Sequence, residues 1–242
     1  MKKKFIRFAV LSALACLIFA LAGCQKPKTN YEKLCENVSY MQTGLYTAND
    51  ENFDVKLTTT TQEELFIADG KANAQIELNI LTIVPSNVAN LSKSYEFTLT
   101  GTNSSVSGTI TKSRLGINLL CNVEDMKNIG EPKTLTLKDG DNTYTFQLEN
   151  KCANITDGNG ALEIAYTHYQ EKIDAALEDK TFDRECYVKL LSQTNENNEP
   201  EYYWYVSFIK DKNDYWATII DPITKEVVSS RESAKQNQTP AN

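Results

Sequence analysis

Residues 134–148, Thr-Leu-Thr-Leu-Lys-Asp-Gly-Asp-Asn-Thr-Tyr-Thr-Phe-Gln-Leu, decide the fold class of this chain. Leucine alternates with threonine before the turn, and tyrosine, phenylalanine and leucine alternate with polar residues after it. A period of two places successive side chains on opposite faces of a β-strand. Asp139 and Gly140 are residues that a tight hairpin turn favours. The segment therefore predicts an antiparallel hairpin with one buried face and one solvated face.

The same alternation extends towards the N-terminus, from about residue 44. Turn sequences such as 68–71 and 101–103 separate the runs, and the positions between apolar residues are rich in threonine, serine and asparagine. About eight short strands at this spacing are typical of an antiparallel sandwich or barrel of immunoglobulin-like size. We therefore predict an antiparallel β-sandwich over residues 44–152. The further alternating apolar residues are Phe53, Val55, Leu57, Ile76, Leu78, Ile80, Tyr95, Phe97, Leu99, Val106 and Ile110.

The pattern becomes helical after the turn sequence at 156–160. An apolar stripe recurs at three and four residues, which is the spacing on one face of a helix of about five turns. Strand-like runs follow between residues 186 and 220. We predict a one-helix plus antiparallel-sheet domain over 153–229 and a disordered tail over 230–242, so that the chain is mainly β with an α+β part. The stripe comprises Leu162, Tyr166, Tyr169, Ile173 and Leu177.

The last strand-like runs carry a family resemblance. Residues 202–208 read Tyr-Tyr-Trp-Tyr-Val-Ser-Phe, and residues 215–228 read Tyr-Trp-Ala-Thr-Ile-Ile-Asp-Pro-Ile-Thr-Lys-Glu-Val-Val. This pattern resembles the end of a PepSY domain, with Lys225 where that family usually has glycine. The resemblance implies a non-catalytic module of exported and lipid-anchored proteins, which in some settings restrains a peptidase. A cystatin-like fold is the nearest architectural alternative.

The aromatic run at 201–209 presents different residues on its two faces. Trp204 and Phe208 point to one face, which we expect to pack against the predicted helix. Tyr203 and Tyr205 point to the other face, where they could stack on a sugar or a peptide. The alternative is that the neighbouring domain covers them, because tyrosines are common on sheet faces without any ligand. Tyr203 and Tyr205 are the candidate ligand-binding residues.

The N-terminus has the features of an export signal. A short basic region precedes an uncharged apolar run over residues 8–22, which is shorter than the roughly 20 residues of a membrane-spanning helix. The run ends in the sequence Leu21-Ala22-Gly23-Cys24, which resembles the lipobox of bacterial lipoproteins.

This lipobox resemblance implies a signal peptide over 1–23, cleavage before Cys24, and a diacylglyceryl group on the Cys24 sulfur. We accordingly predict lipidation at Cys24 and a location on the extracytoplasmic face of the cell membrane. Residues 24–43 would then form a tether and a short helix. The partner implied by the anchor is the membrane itself, held through the acyl chains.

Composition excludes some partners. The signal peptide carries four of the 25 basic residues and none of the 32 acidic ones, so the mature chain keeps 21 basic residues and a formal net charge of −11. Such a charge repels phosphate backbones, so nucleic acid is not expected as a partner.

Four cysteines remain after Cys24, and outside the cytoplasm they could form two disulfides. Cys152 and Cys186 are the first expected pair, because they flank the predicted helix. The cysteines have no C-x-x-C spacing and no histidine near them, so a zinc or redox site is not expected. Buried free thiols are the alternative.

No motif indicates catalysis, a metal or a cofactor. The one histidine, His168, lacks the second histidine of a zinc protease motif, and no G-x-S-x-G sequence is present. We predict a lipid-anchored, non-catalytic binding or regulatory protein that acts on a peptidase or another envelope protein. The alternative is a carbohydrate- or peptide-binding lipoprotein that uses Tyr203 and Tyr205. A hydrolase that depends on His168 is the least supported function.

Overall fold

The computed structural model describes residues 28–177 and 182–233. The signal peptide and Cys24 lie outside this range, so the predictions made for them stay predictions. The helices are α1 Asn30–Cys35, α2 Met126–Ile129, α3 Gly158–His168 and α4 Gln170–Leu177, with one 3-10 turn at Val88–Ser92. The strands are β1 Val38–Asn49, β2 Phe53–Glu63, β3 Gln75–Pro85, β4 Tyr95–Gly101, β5 Ser105–Lys112, β6 Leu119–Asn122, β7 Pro132–Asp139, β8 Asn142–Gln147, β9 Glu149–Asn150, β10 Glu185–Thr194, β11 Pro200–Asp211, β12 Asp214–Ile220 and β13 Val227–Ser233.

The described strands form one continuous sheet in the order β13-β12-β11-β10-β1-β2-β3-β6-β5-β4-β7-β8, and β9 pairs with β1. All pairings are antiparallel except that of β1 with β10, which is parallel. The predicted fold class, mainly β with an α+β part, is confirmed.

The first half of the sheet folds over to form a sandwich. Strand β5 pairs with β6 on one side and with β4 on the other, so the chain passes there from one layer to the next. Phe53 on β2 lies between the layers and contacts Tyr95, Tyr144 and Phe146 edge-on. The hairpin that the sequence predicts is present as β7 and β8, with Gly140 in its turn at a φ of +60°. The core of this sandwich half is formed by Phe53, Val55, Leu57, Leu81, Ile83, Tyr95, Phe97, Leu99, Ile110, Leu119, Leu135, Leu137 and Phe146.

The second half consists of helices on one face of β1 and β10–β12, which we call the helix-packed half. The helix predicted over residues 162–177 is divided at Tyr169, whose φ of −107° ends α3 just before α4 begins. Tyr169 is buried at the break, and its hydroxyl donates to the Ala217 carbonyl at 3.1 Å. The apolar spacing continues through the break, so the sequence pattern alone indicated a single helix. The core of this half includes Leu34, Val38, Met41, Leu162, Ala165, Ile173, Cys186, Val188, Trp204, Val206 and Phe208.

Strand β1 belongs to both halves, which changes the role predicted for residues 24–43. Its start pairs with β10 and residues 40–49 pair with β2, while α1 packs into the helix-packed core through Leu34. The predicted short helix is present as α1, and residues 38–43, which were predicted to belong to the tether and helix, are the start of β1. At the other end, residues 230–233 continue β13 beside β12, so the disorder predicted from residue 230 is wrong for these four positions.

Lys225 occupies a left-handed backbone conformation, with a φ of +64°, at the position where PepSY domains usually have glycine. The turn is held by Asp221, whose carbonyl accepts from the Lys225 amide at 2.9 Å. Its carboxylate accepts from the amides of Ile223 and Thr224 at 2.8 and 3.0 Å. A residue with a Cβ is strained in this conformation, whereas glycine is not.

We therefore expect Lys225→Gly to raise the free energy of unfolding by about 0.5–1 kcal/mol, the relief of left-handed strain less the added entropy of the unfolded chain. Urea denaturation measures the change. The control is Lys212→Gly, in the exposed turn between β11 and β12, where the backbone has no positive φ. An equal gain in that variant would show that left-handed strain is not the cause.

Candidate functional site

The outer face, as we call it, is the side of the sheet that carries Tyr40 on β1, Tyr187 on β10 and Tyr205 on β11. Directly paired residues point to the same side, and Tyr40 on β1 is paired with Gln62 on β2 and with Tyr187 on β10. The row continues to Ile76 on β3 and to Ser207 on β11. On β10 and β11 this side alternates with Val188 and Val206 of the helix-packed core, so no described helix packs against it there. Past the irregularity between Gln42 and Gly44, Leu45 is paired with Thr58 and belongs to that core.

Four rings form an aromatic cluster on the outer face. Tyr40 and Tyr187 stack with centroids 4.4 Å apart and an interplanar angle of 20°. Tyr205 lies 6.3 Å from Tyr187, and Phe66 approaches Tyr187 at 5.6 Å from the loop between β2 and β3. The tyrosines are half-buried and Phe66 is exposed, so the cluster has free ring surface. Partial burial raises the pKa of Tyr40 to about 12, which keeps its hydroxyl a hydrogen-bond donor.

The structure places the two predicted ligand residues differently. Tyr205 belongs to the aromatic cluster, whereas Tyr203 lies next to Leu191 on the same face and donates from its hydroxyl to Glu201 at 3.2 Å. Tyr40 and Tyr187 were missed. Tyr187 alternates with buried Cys186 and could have been found by the same period-two argument, but residues 24–43 were predicted as a tether and a short helix, which hid Tyr40.

Aliphatic side chains extend the outer face beyond the cluster. Ile76, Val84, Leu120 and Leu191 all point to it and are each between 36% and 43% exposed. Contiguous apolar surface of this kind is uncommon on a protein surface unless it meets a partner.

The loop over residues 64–74 covers one end of the outer face and carries Phe66. Its second half is held by Asn37, whose side-chain amide donates to the Gly70 carbonyl at 3.0 Å while its Oδ1 accepts from the Ala72 amide at 2.7 Å. Gly70 has a φ of +85°, and a Cβ there would lie 2.4 Å from the Asp183 carbonyl oxygen. Only glycine allows the loop to approach the sheet this closely.

Two carboxyl groups are buried beneath this loop. Glu185 is fully buried on β10, and its Oε1 accepts from the Gly70 amide at 3.4 Å. One oxygen of Glu185 and one of Glu63 have no hydrogen-bond partner among the described residues. Burial raises the pKa of Glu185, and the nearby charges of Glu63 and Asp69 raise it further, against the opposing hydrogen bonds from Ser39 and Gly70. The fold therefore favours the protonated form of Glu185.

We expect Glu185→Gln to make the stability of the protein less dependent on pH. A raised folded-state pKa contributes stability below the ordinary glutamate pKa of about 4.3, and that stability is lost as the pH rises through the raised value. The wild-type protein should therefore lose stability from about pH 4 towards neutrality, and the glutamine variant should lose less. Thermal denaturation at a series of pH values measures the difference. Glu96→Gln, at an exposed position on β4, is the matched control; if it flattens the profile equally, burial of Glu185 is not responsible.

The predicted disulfide between Cys152 and Cys186 is not present in the structure. All four cysteines of the described range are free thiols. Cys186 lies on the core face of β10, where its Sγ approaches the Leu34 carbonyl at 3.7 Å, while Cys152 follows β9 beside β1. Burial raises the pKa of both thiols, which lowers their reactivity.

His168 ends α3 in an exposed position, with its ring edge-on to Tyr169 at 4.7 Å. Within residues 28–177 and 182–233, no group of three or more histidine, cysteine, aspartate or glutamate residues is arranged to hold a metal ion. In the same part of the chain, no helix is long and apolar enough to cross a membrane.

No protein-family model, curated protein or solved structure matches this chain. The outer face and the targeting sequence are therefore the two features of the chain that bear on its function.

Proposed function

We propose that this chain is a lipid-anchored, extracytoplasmic binding protein without catalytic activity, and that its outer face binds another protein of the cell envelope. The observation that carries the proposal is the aromatic cluster of Tyr40, Phe66, Tyr187 and Tyr205, which no helix of the described residues covers. A peptidase is the partner that the PepSY resemblance of the C-terminal part favours.

Physical reasons connect such a surface with binding. Tyrosine offers a large apolar ring, a polar hydroxyl and few rotatable bonds, so it binds a partner at low entropic cost. The exposed apolar side chains around the cluster would be removed from water by the same partner. Half-burial of the tyrosines holds their rings in place before binding, which reduces the entropy lost on association.

The lipid anchor in this proposal comes from the sequence motif at Cys24. Two acyl chains are enough for stable membrane attachment. The described fold starts at Lys28, so at about 3.3–3.6 Å per residue the four intervening steps span at most about 14 Å. The binding protein would thus work close to the membrane surface.

Cys24→Ser is expected to move the protein from the membrane fraction to the soluble extracytoplasmic fraction, and an unchanged distribution would remove the lipid anchor from the proposal.

The binding function is tested by crosslinking the full-length protein to its neighbours in intact cells, followed by affinity purification. We expect Tyr187→Ala with Tyr205→Ala to remove the crosslinked envelope protein. The matched control is Tyr166→Ala, a half-buried tyrosine on the helical side of the molecule. A crosslinked partner that survives the double substitution, or that is lost equally in the control, contradicts binding through the outer face.

Carbohydrate binding is the second candidate function. It is favoured by the hydrogen bond from Tyr203 to Glu201, which places a carboxylate beside a half-buried ring, because sugars combine stacking surfaces with hydroxyl groups. Wild-type protein and a Tyr203→Ala, Tyr205→Ala variant can be compared on a glycan array. Equal glycan binding by the two proteins, or none by either, removes this candidate.

A further inference from the structure

Three consecutive apolar residues are exposed in the loop over residues 64–74, which we call the apolar loop. Leu65, Phe66 and Ile67 are 76%, 44% and 56% exposed. Phe66 turns its ring towards Tyr187 of the outer face. Leu65 and Ile67 belong to neither hydrophobic core, so most of their surface is in water. Exposed apolar residues that are contiguous in this way are typical of a surface that meets another apolar phase.

The base of the apolar loop is fixed to the sheet. Asn37 holds Gly70 and Ala72 by its side-chain amide, and the Asn73 amide donates to Glu63 Oε1 at 2.5 Å. The loop therefore presents Leu65 and Ile67 at a defined place on the molecule, which lowers the entropy lost when they bind.

The N-terminal end of the described chain joins the sheet beside this loop. Tyr40 is paired with Gln62 in antiparallel register, so β1 starts at the end of the sheet where β2 finishes and the apolar loop begins. Helix α1 ends two residues before β1. One of the two intervening residues is Asn37, which holds the loop.

The first described residue also lies near the apolar loop. Lys28 forms an ion pair with Glu36 at the end of α1, and Glu36 borders the same surface hollow as Gly70 and Lys71. Four steps separate Lys28 from Cys24, which span at most about 14 Å. A lipid on Cys24 would therefore hold Leu65 and Ile67 near the membrane surface.

The charges around the exposed apolar residues are balanced. Glu64 and Asp69 flank them in the loop, and Lys71 and Lys33 lie at the base of the loop. These four formal charges cancel, so lipid headgroups neither attract nor repel the loop strongly. The other charged residues around the hollow form the ion pairs Lys28–Glu36 and Lys210–Asp183.

We propose that Leu65 and Ile67 enter the interfacial layer of the membrane and form a second attachment beside the lipid on Cys24. This inference rests on the proposed function, because the lipid anchor brings the loop to the bilayer. Two apolar side chains bind a bilayer weakly by themselves, but the tether raises their local concentration at its surface. A lipid surface fits this loop better than a protein does, because the chain that leads to the lipid starts at the base of the same loop.

The double attachment orients the molecule. The end of the sheet with the apolar loop faces the membrane, and the opposite end points away from it. Phe66 stays against Tyr187, so the aromatic cluster would meet its partner close to the bilayer.

The loop between β5 and β6 supplies a matched control. Leu115 and Ile117 are 83% and 66% exposed in that loop. It precedes Leu119, which is paired with Ile83, whereas the apolar loop precedes Gln75 at the start of the same strand β3. Eight positions separate Gln75 from Ile83, which is about 26 Å along a strand. Leu115 and Ile117 are therefore at the opposite end and should stay in water.

The test introduces a tryptophan into each loop of the full-length protein purified from membranes. Leu65→Trp and Leu115→Trp are reconstituted into phosphatidylcholine vesicles with either brominated or ordinary acyl chains. Bromine quenches tryptophan only at short range, and the wild type supplies the background from Trp204 and Trp216. We expect brominated lipid to quench the added fluorescence of Leu65→Trp and to leave that of Leu115→Trp unchanged.

A second substitution shows whether insertion depends on the apolar neighbour. Adding Ile67→Asp to Leu65→Trp should remove most of the quenching, because a carboxylate is costly in the apolar layer. Circular dichroism first establishes that each variant is folded. Equal quenching of Leu65→Trp and Leu115→Trp, or quenching that survives Ile67→Asp, would overturn the proposal.

The same vesicles separate this inference from the proposed function. If the wild type stays on the vesicles while Leu65→Trp is not quenched, the lipid anchor stands and membrane insertion of the loop fails. If the wild type does not stay on the vesicles, the lipid anchor fails and the inference fails with it. An unquenched Leu65→Trp together with loss of the crosslinked envelope protein in a Leu65→Ser, Ile67→Ser variant would assign the loop to a protein partner and also overturn the proposal.

Discussion

Trp204→Ala is expected to lower the free energy of unfolding by about 3–5 kcal/mol, the usual cost of removing a fully buried tryptophan. Trp204 is 1% exposed, and its indole Nε1 donates to the Thr156 carbonyl at 2.8 Å. The ring lies under the first turn of α3, where Gly158 approaches it without a side chain. Truncation would leave both a cavity and a carbonyl without its donor, and both effects act in the same direction.

A milder substitution separates these two contributions. Trp204→Phe keeps most of the apolar volume but removes the indole donor, so we expect a loss of about 1–3 kcal/mol. Urea denaturation followed by circular dichroism measures both variants. If Trp204→Ala costs less than Trp204→Phe, the ring does not fix α3 to the sheet in the way the contacts indicate.

Much of the fold follows from local patterns. The alternation around Asp139 and Gly140 predicts the β7–β8 hairpin, because a two-residue period and turn chemistry are both local properties. The stripe from Leu162 to Leu177 likewise places helix where the structure has it. The break at Tyr169 was not predictable, since it accompanies a tertiary hydrogen bond to Ala217 and interrupts no apolar spacing.

The contacts between distant segments could not be read from the sequence. The parallel pairing of Val38 with Cys186 places β1 in both halves, and no local pattern encodes that partner. The prediction of a disulfide between Cys152 and Cys186 was wrong for the same reason. The two cysteines flank one helix in the sequence, but this does not determine which face of a strand each thiol occupies. Tyr205 was found through its alternation, whereas its neighbour Tyr187 becomes significant only when β10 lies beside β11 and β1.

Phe53→Ala is expected to destabilise the sandwich half by about 3–5 kcal/mol. Phe53 is fully buried, and its ring meets those of Tyr95, Tyr144 and Phe146 edge-on with centroids 5.6, 4.9 and 6.2 Å away. Edge-on aromatic pairs stabilise beyond the area they bury, by about 0.5–1.5 kcal/mol each, so we expect the loss at the upper end of this range. If the two halves unfold independently, this substitution therefore causes the sandwich half to unfold at a lower urea concentration than the helix-packed half.

The shared strand β1 predicts that the two halves are not independent. Both tryptophans of the chain, Trp204 and Trp216, lie in the helix-packed half, so tryptophan fluorescence reports on that half alone. Loss of the sandwich removes β2 from β1 and so exposes an edge of the strand that also pairs with β10. We expect Phe53→Ala to lower the urea midpoint measured by fluorescence as much as the midpoint measured by circular dichroism. The exposed Phe66→Ala should shift neither midpoint. A fluorescence transition that stays at the wild-type midpoint while circular dichroism becomes biphasic would mean that β1 joins the halves without coupling their stability.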